Sequence, residues 1–196
     1  MLHIVDDEEV VRDSLTWLAR SRNIPVTAYA HGDAFLSALD LGADFAPEGE
    51  CVLLDIRMPE ISGLALFETL CARGLKLRLP VIFLTGHGDV PMAVNALKRG
   101  AFDFFEKPFN DNTLMDRVQE ALAASLQASE QAAIQERLNA LSAREREVLD
   151  LILDGKMNKV IAEQLGISIR TVEVHRSHIF DKMSVKTAVE LARLLR

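Results

Sequence analysis

Over roughly the first 120 residues, short apolar runs alternate with longer stretches in which apolar residues recur every three or four positions. Leu2–Val5 is the first run. It stops at Asp6-Asp7-Glu8-Glu9, after which Val10, Val11, Leu15 and Leu18 fall at helical spacing. Pro25–Tyr29 reads as a second strand, and Phe35, Leu36 and Leu39 mark a second helix before a loop over residues 40–50 with Gly42, Pro47 and Gly49. The run Cys51-Val52-Leu53-Leu54 ends at once in Asp55, and a helix with Leu64, Leu66, Phe67 and Leu70 follows Ser62-Gly63. Val81–Leu84 is a fourth strand, ending in Thr85. Pro91 suits the first turn of the next helix, which stops at Gly100, and Ala101–Phe105 is a fifth strand closed by Glu106-Lys107-Pro108. Continuous apolar runs suit parallel strands buried on both faces. The alternation predicts a five-stranded parallel sheet with helices on both faces and right-handed crossovers. The first strand begins almost at Met1, so its leading edge is expected to fray.

From Asn110 to about Leu141 there is neither Gly nor Pro. Leu114, Val118, Leu122 and Leu126 keep a helical stripe that then thins into Ala, Gln, Ser and Glu. The fifth helix is expected to run on as a long, largely solvent-facing linker, with a break near Ser125–Ser129 as the alternative. Ser142 and Glu145 match a capping box ahead of a helix carrying Val148, Leu149, Ile152 and Leu153. A short helix with Val160, Ile161, Ala162 and Leu165 ends at Gly166. Ser168 then caps a helix from about Ile169 to Met183, and a last helix starts near Thr187. Two short helices joined through Gly-Ile-Ser make a helix-turn-helix pattern.

At 196 residues and 49% apolar content, one or two domains with real cores are expected. The net charge of −7 does not suit a chain that binds nucleic acid along its whole length, but it is unevenly shared: −8 over residues 1–125 and +1 over residues 126–196. Within residues 168–196, six basic residues face three acidic ones, so two parts with different partners are expected. Cys51 and Cys71 read as small buried hydrophobes, and no CxxC or Cys/His cluster suggests zinc. Met1–Asp7 meets acid too soon for a signal peptide. No apolar run approaches the roughly 20 residues of a membrane helix. A cytoplasmic protein is expected.

Open α/β sheets place ligands at the carboxyl ends of their strands. Asp6 and Asp7, Asp55, Thr85 and Lys107 all fall at such ends. Singly, each has a bland reading: an Asp pair more often caps a helix, Asp55 is a loop acid, Thr85 a turn residue, and a lysine before proline is solvated. One at each successive strand end, they form a constellation. Crowded carboxylates require a cation, and a few hard oxygen ligands suit Mg²⁺. A carboxylate can also act as a nucleophile towards phosphorus, with a lysine and a hydroxyl holding the other phosphoryl oxygens.

Val5-Asp6-Asp7, Leu54-Asp55-Ile56-Arg57-Met58-Pro59, Ser62-Gly63, Leu84-Thr85-Gly86 and Lys107-Pro108 resemble, in order and spacing, the receiver domain of two-component response regulators. The resemblance spans residues 1 to about 120 and implies a flavodoxin/CheY-like α/β fold. It implies that Asp55 is the phosphoacceptor. It further implies that Asp7, Asp55 and the backbone carbonyl of Arg57 ligate Mg²⁺, with Asp6 acting largely through water, and that Thr85 and Lys107 contact the phosphoryl group. The Lys107–Pro108 bond is then expected to be cis, and Phe104 takes the aromatic switch position. Other members carry Tyr or Thr there, so Phe104 has no hydroxyl to report the state of Thr85. The stretch from Thr85 to Val94 is similar to the FixJ-like branch.

Leu141-Ser142-Ala143-Arg144-Glu145-Arg146-Glu147-Val148-Leu149, Asn158-Lys159-Val160-Ile161-Ala162, Ile167-Ser168 and Thr171-Val172-Glu173-Val174-His175 resemble the LuxR-type (NarL/FixJ) DNA-binding domain. The expected boundaries are a receiver at 1–118, a helical linker at 119–136 and a DNA-binding domain at 137–196, with the helix-turn-helix at about 158–177. Such a motif lays its second helix in the major groove. On a helix from Ser168, Arg170, Glu173, Val174 and Ser177 share one face, while Val172, His175 and Ile179 point inward. Val174 suits a thymine methyl and Glu173 a cytosine amine. Lys159, Arg170, Thr171, Arg176 and Lys182 are candidates for phosphate contacts. His175 reads more readily as a packed or capping histidine. The modest charge implies weak binding by a monomer and a homodimer on paired half-sites. The terminal stripe of Val189, Leu191, Leu194 and Leu195 suits either dimerisation or intradomain packing.

Together the two resemblances imply a phosphorylation-switched transcription factor. A sensor histidine kinase would phosphorylate Asp55 in the presence of Mg²⁺, a homodimer would form, and the C-terminal part would bind double-stranded promoter DNA. RNA polymerase is a further candidate partner, and no membrane is involved. An enzymic alternative, a metal-dependent phosphatase or phosphotransferase of the haloacid-dehalogenase type, needs a second acid two residues after its nucleophile. Arg57 stands there, so no exogenous substrate is expected. A sigma-factor-like promoter module is permitted by Leu141–Arg146, but Thr171–His175 favours the LuxR type.

Overall fold

The computed structural model describes residues 1–41, 46, 48–86 and 90–195. The loop markers Gly42 and Pro47 and the His87–Asp89 part of the FixJ-like stretch lie outside the described residues. The chain divides into two compact units, residues 1–129 and 130–196. Among the described residues no helix is long and apolar enough to cross a membrane.

In the first unit β1 (Leu2–Val5), β2 (Val26–Tyr29), β3 (Cys51–Asp55), β4 (Val81–Thr85) and β5 (Asp103–Glu106) form one parallel sheet in the order β2-β1-β3-β4-β5. The three central strands are the continuous runs, and all their residues are buried, as a sheet covered on both faces requires. Alternate residues feed two cores. Val52, Leu54, Val81 and Phe83 meet Phe35 of α2 (Gly32–Leu41), Phe67 of α3 (Gly63–Ala72) and Ala96 of α4 (Val90–Lys98). Cys51, Leu53, Ile82 and Leu84 meet Leu15 of α1 (Glu9–Ser21) and Leu114 and Val118 of α5 (Asp111–Asn139). β2 is added on one side of β1 and β3 on the other, so the winding reverses between β1 and β3. A crevice opens there at the carboxyl edge.

Two local expectations are corrected. The leading edge of β1 is tied down: the Met1 carbonyl accepts from the Cys51 amide (3.1 Å), and the terminal ammonium donates to the Gly49 carbonyl. β5 starts two residues late because Gly100 (φ +102°) and Ala101 close α4, with the Ala101 amide bonded to the Ala96 carbonyl (3.0 Å). Helix α5 runs unbroken through Ser125–Ser129, without the alternative break, and most of 119–136 is exposed, with a few inward contacts. Ala121 and Ser125 are buried in the first unit, and Ile134 packs on the core of the second.

The second unit packs α6 (Ala143–Leu153), α7 (Asn158–Leu165), α8 (Ile169–Met183) and α9 (Ala188–Leu194) around Val148, Ile161, Val172, Ile179, Met183 and Leu191. Gly166 ends α7 in the left-handed region (φ +65°), and Ser168 Oγ accepts from the Thr171 amide (3.0 Å) to start α8. The terminal stripe splits: Leu191, Leu194 and Leu195 join the core, whereas Val189 is 79% exposed. The capping box at Ser142 is complete. Its Glu145 is buried, and Oε2 accepts from both the Ser142 amide (2.7 Å) and Lys182 Nζ (2.7 Å).

The Lys182 ammonium, helped by the Ser142 amide, holds the Glu145 carboxyl down to about 2. A depressed glutamate stabilises the fold above its unfolded value, about 4.3, and that contribution is lost as pH falls from there towards 2. Denaturation between about pH 5 and pH 2 is expected to show wild type weakening along this limb. Glu145→Gln should cost about 2 kcal/mol at pH 7 and show a visibly flatter acid limb.

Candidate functional site

The carboxyl ends of β1, β3, β4 and β5 deliver Asp6, Asp55, Thr85 and Lys107 to one crevice. Lys107 Nζ donates to Asp55 Oδ1 (2.7 Å) and to Asp6 Oδ2 (2.9 Å), with Glu8 Oε1 at 3.6 Å. Asp6 is wholly buried and Asp55 only 7% exposed. The second Asp55 oxygen accepts from the Arg57 amide (2.7 Å). Burial pushes the Asp55 carboxyl above the ordinary range and the neighbouring Asp6 adds to this, against the pull of Lys107 and the Arg57 amide. For Lys107, burial alone would lower the ammonium, but its bonds to Asp55 and Asp6 win and raise it. The pairing therefore favours the lysine without fully relieving the acid.

Thr85 is 0% exposed, and its Oγ1 has no hydrogen-bond partner among the described residues. Its carbonyl accepts from the Lys107 amide (2.7 Å), which ties β4 to the segment that carries the lysine. The Lys107–Pro108 bond is cis. Phe104 lies opposite Phe83 on the neighbouring strand, half-buried against the core beneath α3 and α4. Asp7 is exposed. Arg12 donates to the carbonyls of Asp6 and Asp7 (2.8 Å each), and Asp6 Oδ1 accepts from the Glu8 amide (2.9 Å), so the acidic turn is pinned from both sides.

Among the described residues no three acids, histidines or cysteines are gathered to hold a metal ion, and the Lys107 ammonium bridges Asp6 and Asp55. The donors nevertheless fit Mg²⁺ in kind: hard carboxylate oxygens carrying more negative charge than one lysine offsets. A cavity of about 500 Å³ opens beside them, lined by Asp7, Arg57, Met58, Ser62 and Met92 among others.

Gly63 was visible as part of a motif, but its task was not. A Cβ at Gly63 would lie 2.0 Å from the Asp55 carbonyl oxygen. Its amide donates to the Ile56 carbonyl (3.0 Å), and Ser62 caps α3 beside it. The loop that presents the Arg57 amide is thus pressed against the strand end. The only local signal was a glycine directly after a helix-capping serine.

On α8, Arg170, Glu173, Val174 and Ser177 are exposed together, while Val172 and Ile179 are fully buried and His175 half-buried. Thr171 Oγ1 is bonded to Ser168 Oγ (2.8 Å) within the cap. The Arg176 guanidinium lies 5.3 Å from the centre of the Phe180 ring. Lys159 is exposed at the start of α7, and Lys156, overlooked in the sequence, is exposed two residues before that helix. Lys182, expected as a phosphate contact, donates to Glu145 and to the Ala140 carbonyl (3.1 Å) in this structure. Three further arginines also serve helix ends. Arg144 donates to the Leu165 carbonyl, Arg146 to Leu138 and Arg137 to Met183.

Comparison with known proteins agrees with both halves. The response regulator receiver domain family matches residues 2–119, and the luxR family of bacterial regulatory proteins matches residues 139–195. The chain is 50% identical to the C4-dicarboxylate transport transcriptional regulatory protein DctR of Rhodobacter capsulatus, covering 98% of each. It is 42% identical to the transcriptional regulatory protein FixJ of Rhizobium meliloti (98% of this chain, 93% of that one). Among solved structures it is similar to the response regulator StyR, with a TM-score of 0.71 at 38% identity over 99% and 96% of the two chains. Full-length FixJ from B. japonicum aligns with a TM-score of 0.59 at 40% identity over 98% and 94%.

The raised Asp55 carboxyl has a consequence for stability. An acid whose folded value lies above its unfolded value, about 3.9, costs stability once pH rises past that point. Asp55→Asn keeps the shape of the side chain, and Lys107 keeps Asp6. The variant is expected to exceed wild type at pH 7 by on the order of 1 kcal/mol, with the gap closing below about pH 4. Urea midpoints across this range test it, and a midpoint below wild type at pH 7 would contradict it.

Proposed function

The chain belongs to the two-component response regulators that join a receiver domain to a LuxR-type helix-turn-helix domain, and we propose that it is a transcription factor switched by phosphorylation of Asp55. Thr85 carries this assignment. Among the described residues its hydroxyl has no partner, a buried hydroxyl left so costs about 1–3 kcal/mol, and a phosphoryl oxygen arriving beside Asp55 and Lys107 would supply an acceptor.

In the proposed step an Asp55 carboxylate oxygen attacks phosphorus. The new O–P bond forms as the P–N bond of a kinase phosphohistidine, or the P–O bond of an acyl phosphate, breaks and the leaving group keeps the electron pair. The Lys107 ammonium follows the negative charge from the carboxylate to a phosphoryl oxygen, and the Thr85 hydroxyl donates to another. When bound, Mg²⁺ neutralises charge on the phosphoryl group; Asp6, Asp7, Asp55 and the Arg57 carbonyl are the residues that would hold it. Arg57 stands where a turnover enzyme would need a second acid, so the phosphoryl group is expected to stay on Asp55 until hydrolysed. Phe104 is the side chain proposed to shift with Thr85.

The output is proposed to be a homodimer on paired promoter half-sites in the cytoplasm, with RNA polymerase a candidate neighbour. Glu173, Val174 and Ser177 would face base edges, and Lys159, Arg170, Thr171 and Arg176 the phosphates.

Radiolabelled acetyl phosphate with Mg²⁺ is expected to label wild type, to label Thr85→Ala at least about tenfold more slowly, and to leave Asp55→Asn unlabelled. Label persisting in Asp55→Asn would sink the site assignment. On footprinted DNA, Arg170→Ala and Lys159→Ala should each lower the slope of log affinity against log salt by about one. Glu173→Ala should instead relax sequence preference at one position by about 1–3 kcal/mol.

A further inference from the structure

The end of the sheet away from Asp55 carries a cluster that the proposed switch does not use. Gly49 has φ +80°, and a Cβ there would sit 2.3 Å from the Leu122 carbonyl oxygen and 3.0 Å from the Leu126 amide nitrogen. The chain entering β3 therefore lies backbone against backbone on α5. One residue later the Glu50 amide donates to Ser125 Oγ (2.9 Å), and that hydroxyl donates onward to the Arg78 carbonyl (2.5 Å). The Glu50 carboxylate, itself buried, is held by His3 Nε2 (3.1 Å) and by the Ala46 amide (2.7 Å).

Two features set this cluster apart from ordinary packing. Alanine would suit a buried position in the middle of a helix better than serine, so the serine is explained by its two bonds. Its groups also come from three particular strands. His3 lies on β1, which leads to Asp6; Glu50 enters β3, which ends in Asp55; Arg78 precedes β4, which ends in Thr85. Ser125 is the last buried residue of α5 within the first unit.

We propose that Gly49, Glu50 and Ser125 form a clamp that fixes where α5 leaves the first unit, and that Ser125 is a positioning residue for the switch. Beyond Ser125 helix α5 continues to Asn139 with no further buried residue. The clamp ties it to the non-reacting ends of the strands that bear the phosphoryl site. This rests on the function proposed above.

The test uses the full chain with Ser125→Ala and Gly49→Ala and three readouts: labelling by acetyl phosphate, hydrogen exchange of the α5 amides, and affinity for the fragment footprinted by phosphorylated wild type, measured with and without phosphorylation. Both variants are expected to take label within about twofold of wild type. Their amides over 126–139 should exchange about tenfold faster, and the ratio of phosphorylated to unphosphorylated DNA affinity should fall at least about fivefold. Unchanged exchange overturns the clamp. Faster exchange with an unchanged affinity ratio reduces it to a structural contact and also overturns the proposal, as does a loss of labelling. Should Gly49→Ala fail to fold, Ser125→Ala, which only removes atoms, decides alone. If wild type takes no label, the receiver reading fails separately, and the exchange readout still judges the clamp.

Discussion

Lys107 carries a single positive charge into a crevice where two carboxylates, Asp6 and Asp55, are almost out of contact with water and both require it. One cation between two buried anions leaves net negative charge in a poorly solvated place. The rest of the first unit can be understood as what keeps that arrangement in position. Three adjacent strands must end at the same level, which a parallel sheet with β1, β3 and β4 at its centre achieves. Those strands must be apolar on both faces, since helices cover both. Lys107 must come from β5, at the edge, and its amide is bonded to the Thr85 carbonyl to keep it level with the others. The imbalance that remains is the chemical character of the site: an oxygen-rich crevice beside a hydroxyl that has no partner among the described residues, suited to a cation and a phosphoryl group.

Glycine does structural work at both poles of this sheet. At the reacting end Gly63 lets the β3–α3 loop press on the Asp55 carbonyl, and at the other end Gly49 lets the chain press on α5. Neither position tolerates a Cβ without moving backbone, so the two contacts bracket β3 between fixed points. β3 is the strand whose end carries the proposed phosphoacceptor.

The second unit solves a different electrostatic problem. Several of its cations are bonded to the carbonyl ends of helices or to Glu145, where they complement the negative end of the helix dipole. Such cations contribute to folding, and the face of α8 is left with Arg170 as a prominent exposed charge. Basic residues counted along the chain therefore overstate the unpaired positive charge of this unit, and Lys182, bonded to Glu145 and the Ala140 carbonyl, is one instance. The same distinction explains the split terminal stripe: helical spacing aligned Val189 with Leu191, Leu194 and Leu195, but only the last three reach the core.

Local order along the chain was enough to determine the strands and helices, the sheet class, the helix-turn-helix and its capping box, and the strand-end positions of Asp55, Asp6, Thr85 and Lys107. Periodicity and breaks in periodicity are short-range properties, and a carboxylate that ends an apolar run declares itself within a few residues. Only the tertiary structure decided which polar groups meet. Asp6 and Lys107 are 101 residues apart in sequence, and Glu50 and Ser125 are 75 apart. No window along the chain distinguishes a serine that breaks a helix from one that fastens it, or a lysine bound for phosphate from one that caps a neighbouring helix. Thr85 shows the same division: its position could be read from the sequence, but the lack of a partner for its hydroxyl among the described residues could not, because that depends on the atoms packed around it.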